Sequence, residues 1–219
     1  MRSEGYVFNG LLGQTGGGKA LLYYVIESNT FEVLCGKVYC VDNETAETIT
    51  IEKDSSRILH SPFKHPNIVE YLDLKEFSHE TAPSKRMIVL FMPFYTMSLA
   101  TTIEAFFDTP FPLNKFLDLA KSLLSACSRF EEVKKCHCDV KPENIMLSNK
   151  SFVLIDLGAV TDIGKPLREY TPGYNLNACQ DNLASTKFDL NCIAVTLGRC
   201  CIKDFMVAVG RTTTLQQQF

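Results

Sequence analysis

No apolar run in this chain of 219 residues approaches the ~20 residues that a membrane-spanning helix needs. The opening Met1-Arg2-Ser3-Glu4-Gly5-Tyr6 lacks the charged region and apolar stretch of a secretory signal peptide. Neither sign of charge dominates: 22 Lys plus Arg face 25 Asp plus Glu, a formal charge of −3. That balance carries no overall electrostatic preference for nucleic acid or an anionic membrane. Internal repeats are absent, and low complexity is confined to Gln216-Gln217-Gln218. The nine cysteines, at 35, 40, 127, 136, 138, 179, 192, 200 and 201, include no Cys-x-x-Cys pair. Without a secretory signal this argues against a disulfide framework. Cys136-His137-Cys138 offers metal-ligand chemistry, but a zinc site usually needs a second pair. Buried thiols acting as small hydrophobes are the better reading. The expectation is a soluble intracellular protein, cytoplasmic with the nucleus left open, and without nucleic-acid or membrane partners.

What the sequence does hold is ordinary globular material. Hydrophobic residues make up 46% and charged residues 21%, which excludes a wholly disordered chain. The length suits one large domain or two small lobes. Runs of Tyr, Val, Phe and Leu broken by Gly and Asn predict strands over 6–12, 20–27 and 31–41, in an antiparallel meander. A helix is expected over 44–60, then strands over 67–77 and 86–94. Beyond Pro93 the character changes. Phe116, Leu117, Ala120, Leu123, Leu124 and Cys127 form the i, i+3/i+4, i+7 stripe of a helix over 113–130. Short strands at 145–147 and 152–155 and a helix over 188–201 follow. A β-rich front thus meets a helix-rich back near Pro93-Phe94-Tyr95, and a ligand would be expected in the cleft between them.

The strongest chemical signal is His137-Cys138-Asp139-Val140-Lys141-Pro142-Glu143-Asn144, with Ile155-Asp156-Leu157-Gly158 placing a second aspartate 17 residues after Asp139. Phosphoryl transfer needs a carboxylate at the attacking hydroxyl, an amide oxygen at Mg²⁺ a few residues later, and a further carboxylate on the metals. The pattern resembles the eukaryotic-type serine/threonine protein kinase family, in its catalytic loop and its metal-binding Asp-Phe-Gly. That resemblance implies an α+β fold with a β-rich N-lobe over 1–92, a hinge over 93–97 and a reduced, mainly helical C-lobe over 98–219. It implies ATP and Mg²⁺ as cofactors and a protein hydroxyl as acceptor. Asp139 would orient and deprotonate that hydroxyl, Lys141 would neutralise the transferring phosphate, and Asn144 and Asp156 would hold the metals. His137 and Gly158 complete the two motifs as structural members. Lysine two places after Asp139 resembles the serine/threonine class. Caps on turns are the plain alternative for both aspartates.

Upstream, Leu12-Gly13-Gln14-Thr15-Gly16-Gly17-Gly18-Lys19 lies between two predicted strands, where glycines let backbone approach phosphate. Gly13 and Gly18 match the outer glycines of the kinase loop, with Gly16 nearby, and Thr15 departs from its middle one. A P-loop also fits Gly13, Gly18 and Lys19, but it requires Ser or Thr where Ala20 stands and a helix where a strand is predicted. A flexible turn is the plain alternative. Lys37, in Leu34-Cys35-Gly36-Lys37, occupies the place of the family's phosphate-binding lysine. Counting back from His65-Pro66-Asn67-Ile68-Val69 to find its helical carboxylate partner lands on Ser55; Asp54 is adjacent and Glu52 lies one turn earlier, and Glu52 is favoured. Met92 resembles the gatekeeper, with adenine against Pro93 and Tyr95. Pro93 lacks an N–H, which is tolerable because the first hinge contact normally uses a carbonyl.

Departures from the family pattern matter too. Cys138 replaces the arginine that in many kinases pairs with a phosphorylated loop, which implies activity independent of such phosphorylation. Tyr174 is followed by Asn175-Leu176-Asn177-Ala178 rather than Ala-Pro-Glu. Thr171 resembles the threonine that contacts the catalytic Lys and Asp. Asp189 resembles the helix residue that anchors the catalytic loop, and 30 residues follow it, fewer than a complete kinase uses. Two other readings stay open: a pseudokinase scaffold that binds nucleotide without efficient transfer, and a small-molecule kinase, whose relatives generally lack a lysine at the place of Lys141.

Overall fold

Short runs of Tyr, Phe, Val and Leu in the first forty positions build strands whose side chains alternate between the two faces of a sheet. The computed structural model describes residues 2–3, 5–15, 18–79, 82–149, 151–174 and 182–202. Two compact units divide the chain: Met1–His60 with Val69–Tyr95, and Ser61–Ile68 with Thr96–Phe219.

The first unit is a six-stranded antiparallel sheet of β1 (Arg2–Ser3), β2 (Tyr6–Gln14), β3 (Ala20–Glu27), β4 (Val33–Cys40), β5 (Asp73–His79) and β6 (Ala82–Pro93). The strand order is β1-β2-β3-β4-β6-β5. On one face Val25, Leu34, Val38, Val89 and Phe91 pack together. On the other, Ala20, Tyr39 and Leu90 pack with Ile49, which α1 (Asn43–Leu59) supplies. Val89, Leu90 and Phe91 are all fully buried, so β6 is clamped from both sides. Each such side chain contributes ~1.5–3 kcal/mol of burial. A reciprocal cap starts α1: Asp42 accepts from the Thr45 N–H, and the Asp42 N–H donates to Thr45 Oγ1, both at 2.8 Å.

The strand expected over 67–77 is split. Strand β5 begins only at Asp73: Asn67 and Ile68 belong to the second unit, and the Tyr71 and Leu72 N–H groups donate to Ser56 Oγ and the Phe91 carbonyl. Asn67 donates its side-chain amide to the Phe152 carbonyl at 2.9 Å, and its own carbonyl accepts from the Leu154 N–H at 2.9 Å. An apolar run cannot report that its first half has found a different partner.

The second unit holds α2 (Leu99–Ala105), α3 (Leu113–Glu132), α4 (Thr186–Cys201) and two small hairpins: β7 (Lys135–Cys136) with β10 (Thr161–Asp162), and β8 (Ile145–Ser148) with β9 (Ser151–Leu154). Helix α3 buries Leu119, Leu123, Ala126, Cys127 and Phe130, while Leu117 and Leu124 are exposed. The expected stripe therefore lay partly on the wrong flank; the buried face is rotated toward Leu119 and Phe130. Helix α2 has too few turns for a period, although Ser98, which accepts from the Thr101 N–H at 3.1 Å, marks its start. No helix among the described residues is long and apolar enough to cross a membrane.

Of the eight described cysteines, Cys127, Cys136, Cys138, Cys192 and Cys200 are buried, and Cys40 and Cys201 are exposed. Cys179 lies outside the described residues. Burial pushes the half-buried Cys35 thiol up to about 11, against a smaller pull from Lys37. Brief iodoacetamide labelling at mild pH should therefore modify Cys40 and Cys201 ahead of Cys35 and the five buried thiols. Peptide mapping that found Cys35 labelled as fast as Cys40 would contradict this placement.

Candidate active site

In the first unit the glycine-rich segment is a hairpin turn between β2 and β3. The Thr15 N–H donates to the Ala20 carbonyl at 3.0 Å, and Thr15 Oγ1 accepts from the Ala20 N–H at 3.1 Å. Thr15 thus closes the base of the turn, which gives the departure from glycine a local role. Gly18 has φ +72° and Gly13 φ +155°, and a Cβ at Gly13 would meet nothing within 4 Å. The backbone there is open to close approach. Gly16 lies outside the described residues.

Lys37 stands on β4 and Glu52 on α1. The Lys37 Nζ to Glu52 Oε1 distance is 2.6 Å, with side chains 4% and 0% exposed. Glu52 also accepts from the Tyr39 hydroxyl at 2.7 Å and from the Tyr71 hydroxyl at 2.5 Å. Such a buried pair persists only when its remaining lone pairs are filled, and the two tyrosines fill them. Burial first, and then the Glu52 charge, push the Tyr39 phenol far above its ordinary range. Asp54 of the same helix pairs instead with Arg57, at 3.6 Å on the surface. Neither tyrosine was flagged from the sequence, where both read as ordinary strand residues. Met92 is buried opposite Cys35, and Pro93 ends β6 opposite Leu34. Strand β5 has already stopped pairing at Phe91, so a residue without an N–H is tolerated there. Burial, aided by Glu70, pushes the Tyr95 phenol up to about 12.

In the second unit, Asp139 is the centre of a network. Its Oδ2 accepts from Lys141 Nζ at 2.7 Å and from Asn144 Nδ2 at 2.9 Å, and its Oδ1 accepts from the Thr171 hydroxyl at 2.6 Å. Lys141 Nζ also donates to Thr171 Oγ1 at 2.8 Å. A carboxylate has about four acceptor directions; one on Oδ1 remains, and the side chain is 16% exposed.

Beneath this network the loop is pinned. The His137 and Cys138 N–H groups donate to the two oxygens of Asp189 at 2.7 and 2.9 Å. Asp189 is 1% exposed. Its burial raises its pKa, while His137 and the two backbone donors pull the other way. His137 Nδ1 accepts from the Asp139 N–H at 3.2 Å, leaving Nε2–H to donate to the Ile155 carbonyl at 3.0 Å. The ring thereby ties the first motif to the residue before Asp156. Cys138 and Asp156 both take left-handed backbone, with φ 66° and 63°. Non-glycine residues rarely do so, and such strain concentrates at functional sites. Gly158 lies in the 3₁₀ turn Leu157–Ala159 that follows.

A family model described as the protein kinase domain matches residues 6–197. The chain belongs to that family. Its fold is accordingly α+β and kinase-like, with a β-rich unit carrying one helix and a mainly helical second unit. The chain is 27% identical over 162 residues to the serine/threonine-protein kinase PknG of Mycolicibacterium smegmatis, a match covering 72% of this chain and 20% of that protein. It is 30% identical over 152 residues to an Acanthamoeba polyphaga mimivirus protein provisionally named a serine/threonine-protein kinase, covering 66% of this chain and 51% of that one. The matches thus span a fifth and about half of these relatives' lengths.

Proposed function

We propose that the chain is a serine/threonine protein kinase domain that moves the γ-phosphoryl group of Mg-ATP to a protein hydroxyl. The observation that carries this reading is the Asp139 network: a partly exposed carboxylate, fixed by Lys141, Asn144 and Thr171, with one acceptor direction left on Oδ1. An acceptor hydroxyl bonded there would be aimed at the phosphorus and would give its proton to Asp139 as the new P–O bond forms and the bond to the bridging oxygen breaks, releasing ADP. Lys141 would balance charge on the transferring group. The serine/threonine class is supported by Lys141, by its contact with Thr171 and by the names of the two relatives.

Lys37, held by Glu52, would pair with the α/β-phosphates, and the turn carrying Gly13, Gly16 and Gly18 would cover them. Adenine would meet Met92, Pro93 and Tyr95. The donors available fit Mg²⁺: Asn144 Nδ2 is spent on the Asp139 carbonyl and carboxylate at 2.9 Å each, which leaves the amide oxygen as a hard ligand. Asp156 would supply a carboxylate. No group of three or more His, Cys, Asp or Glu gathers among the described residues as a self-sufficient metal centre. Mg²⁺ needs only one or two protein oxygens when phosphates complete its shell. When bound, Mg²⁺ neutralises phosphate charge.

A pseudokinase scaffold is the second reading, and Thr15 in the glycine-rich turn favours it. Thermal unfolding with and without Mg-ATP tests the nucleotide half of the proposal. Ligand at 100 times its Kd should add ~2.7 kcal/mol, a rise of about 5–10 °C. Asp156→Asn tolerates the left-handed backbone but removes the charge, and it should shrink that rise. An undiminished rise would count against the metal role of Asp156.

A further inference from the structure

Arg199, in the last turn of α4, is used by none of the roles above. Its Nη1 donates to the Tyr174 hydroxyl and lies 3.6 Å from Glu143 Oε1, and its guanidinium carbon sits 5.8 Å from the centre of the Tyr174 ring. Glu143 belongs to the loop between Lys141 and Asn144. The Tyr174 N–H turns back onto the Thr171 carbonyl at 3.4 Å, and the Thr171 side chain touches Asp139. Asp139 is close enough to Tyr174 to add to the upward push on its phenol, after burial and Glu143, while Arg199 pulls it down. Arg199 therefore stands beside the acceptor end of the site.

Two of its properties have a consequence for specificity. Glu143 is 51% exposed and on its own would attract a cationic side chain on an incoming polypeptide, but Arg199 already faces it. The Arg199 side chain is itself 28% exposed, and its Nε and Nη2 have no protein partner among the described residues. That pair of donors is the fork that takes a carboxylate in a bidentate bond.

We infer that Arg199 is a specificity-determining residue, selecting acceptor segments with an Asp or Glu near the phosphorylated hydroxyl and rejecting basic ones. The inference rests on the kinase reading for the direction in which the acceptor enters. Its test is therefore made by binding rather than by turnover. Peptides with alanine at the acceptor position and Glu, Ala or Arg at each flanking position would be titrated into the isotope-labelled full chain by NMR. The wild type should bind the best Glu peptide roughly fivefold or more tightly than its Arg counterpart, the upper range of an exposed ion pair. Arg199→Glu should invert the order. Arg199→Ala should let Arg peptides gain, and adding Glu143→Gln should cancel that gain.

Equal binding of all three peptides, tighter binding of Arg peptides by the wild type, or one common loss in every variant would overturn the inference. The wild-type ranking decides the matter even where a variant fails to fold. The same peptides with serine restored separate the two readings: an acidic ranking without phosphotransfer would defeat the kinase reading and leave the role of Arg199 standing.

Discussion

Asp139→Asn is expected to lower phosphotransfer roughly 10²–10⁴-fold, the usual worth of a general base, while leaving the fold and nucleotide affinity nearly unchanged. The separation follows from the bonding around the side chain. Lys141 and Asn144 both donate to one oxygen, and Thr171 faces the other at 2.6 Å. An amide can turn its oxygen to the two donors and its NH₂ to the Thr171 oxygen, which accepts as readily as it donates. The loop keeps its shape, and what disappears is the atom able to take a proton. Steady-state rates of the two proteins, alongside their unfolding midpoints, check both halves. A loss of activity accompanied by a matching loss of stability would mean that Asp139 is a structural cap.

Glu52→Leu should destabilise the protein by ~3–5 kcal/mol, because it takes away the carboxylate bonded to the buried Lys37 ammonium. Both side chains are within a few per cent of complete burial, and the hydroxyls of Tyr39 and Tyr71 lose their acceptor in the same stroke. Combining it with Lys37→Met removes the buried positive charge as well, so the double variant should be more stable than Glu52→Leu alone. Denaturant unfolding of the three variants measures this coupling directly. A cost below ~1 kcal/mol for Glu52→Leu is the behaviour of a surface pair, and it would contradict the burial described for this helix.

What the sequence disclosed and what it hid can be sorted by range. The loop from His137 to Asn144 is local, and its bonds to Asp139 come from two and five residues away, so short spacing was informative. Glu52 is a different case: nothing local separates it from Asp54, and the choice is settled by the tyrosine hydroxyls that β4 and the segment before β5 bring to it. Helix α3 could be recognised from its period, but its buried face could not, because leucines lie on two flanks and only packing chooses between them. The split of the 67–77 run and the placement of Arg199 beside Glu143 depend on partners 85 and 56 residues distant. Separations of that length leave no pattern in a single sequence.

The most direct test of the central claim is transfer of labelled γ-phosphate from Mg-ATP to a generic serine- and threonine-containing protein, followed by phosphoamino-acid analysis. The account predicts phosphoserine and phosphothreonine in the wild-type reaction and their collapse with Asp139→Asn. Label transferred equally by both proteins would come from a contaminant. Bound Mg-ATP with no transfer by the wild type would contradict the kinase assignment and leave a nucleotide-binding scaffold in its place.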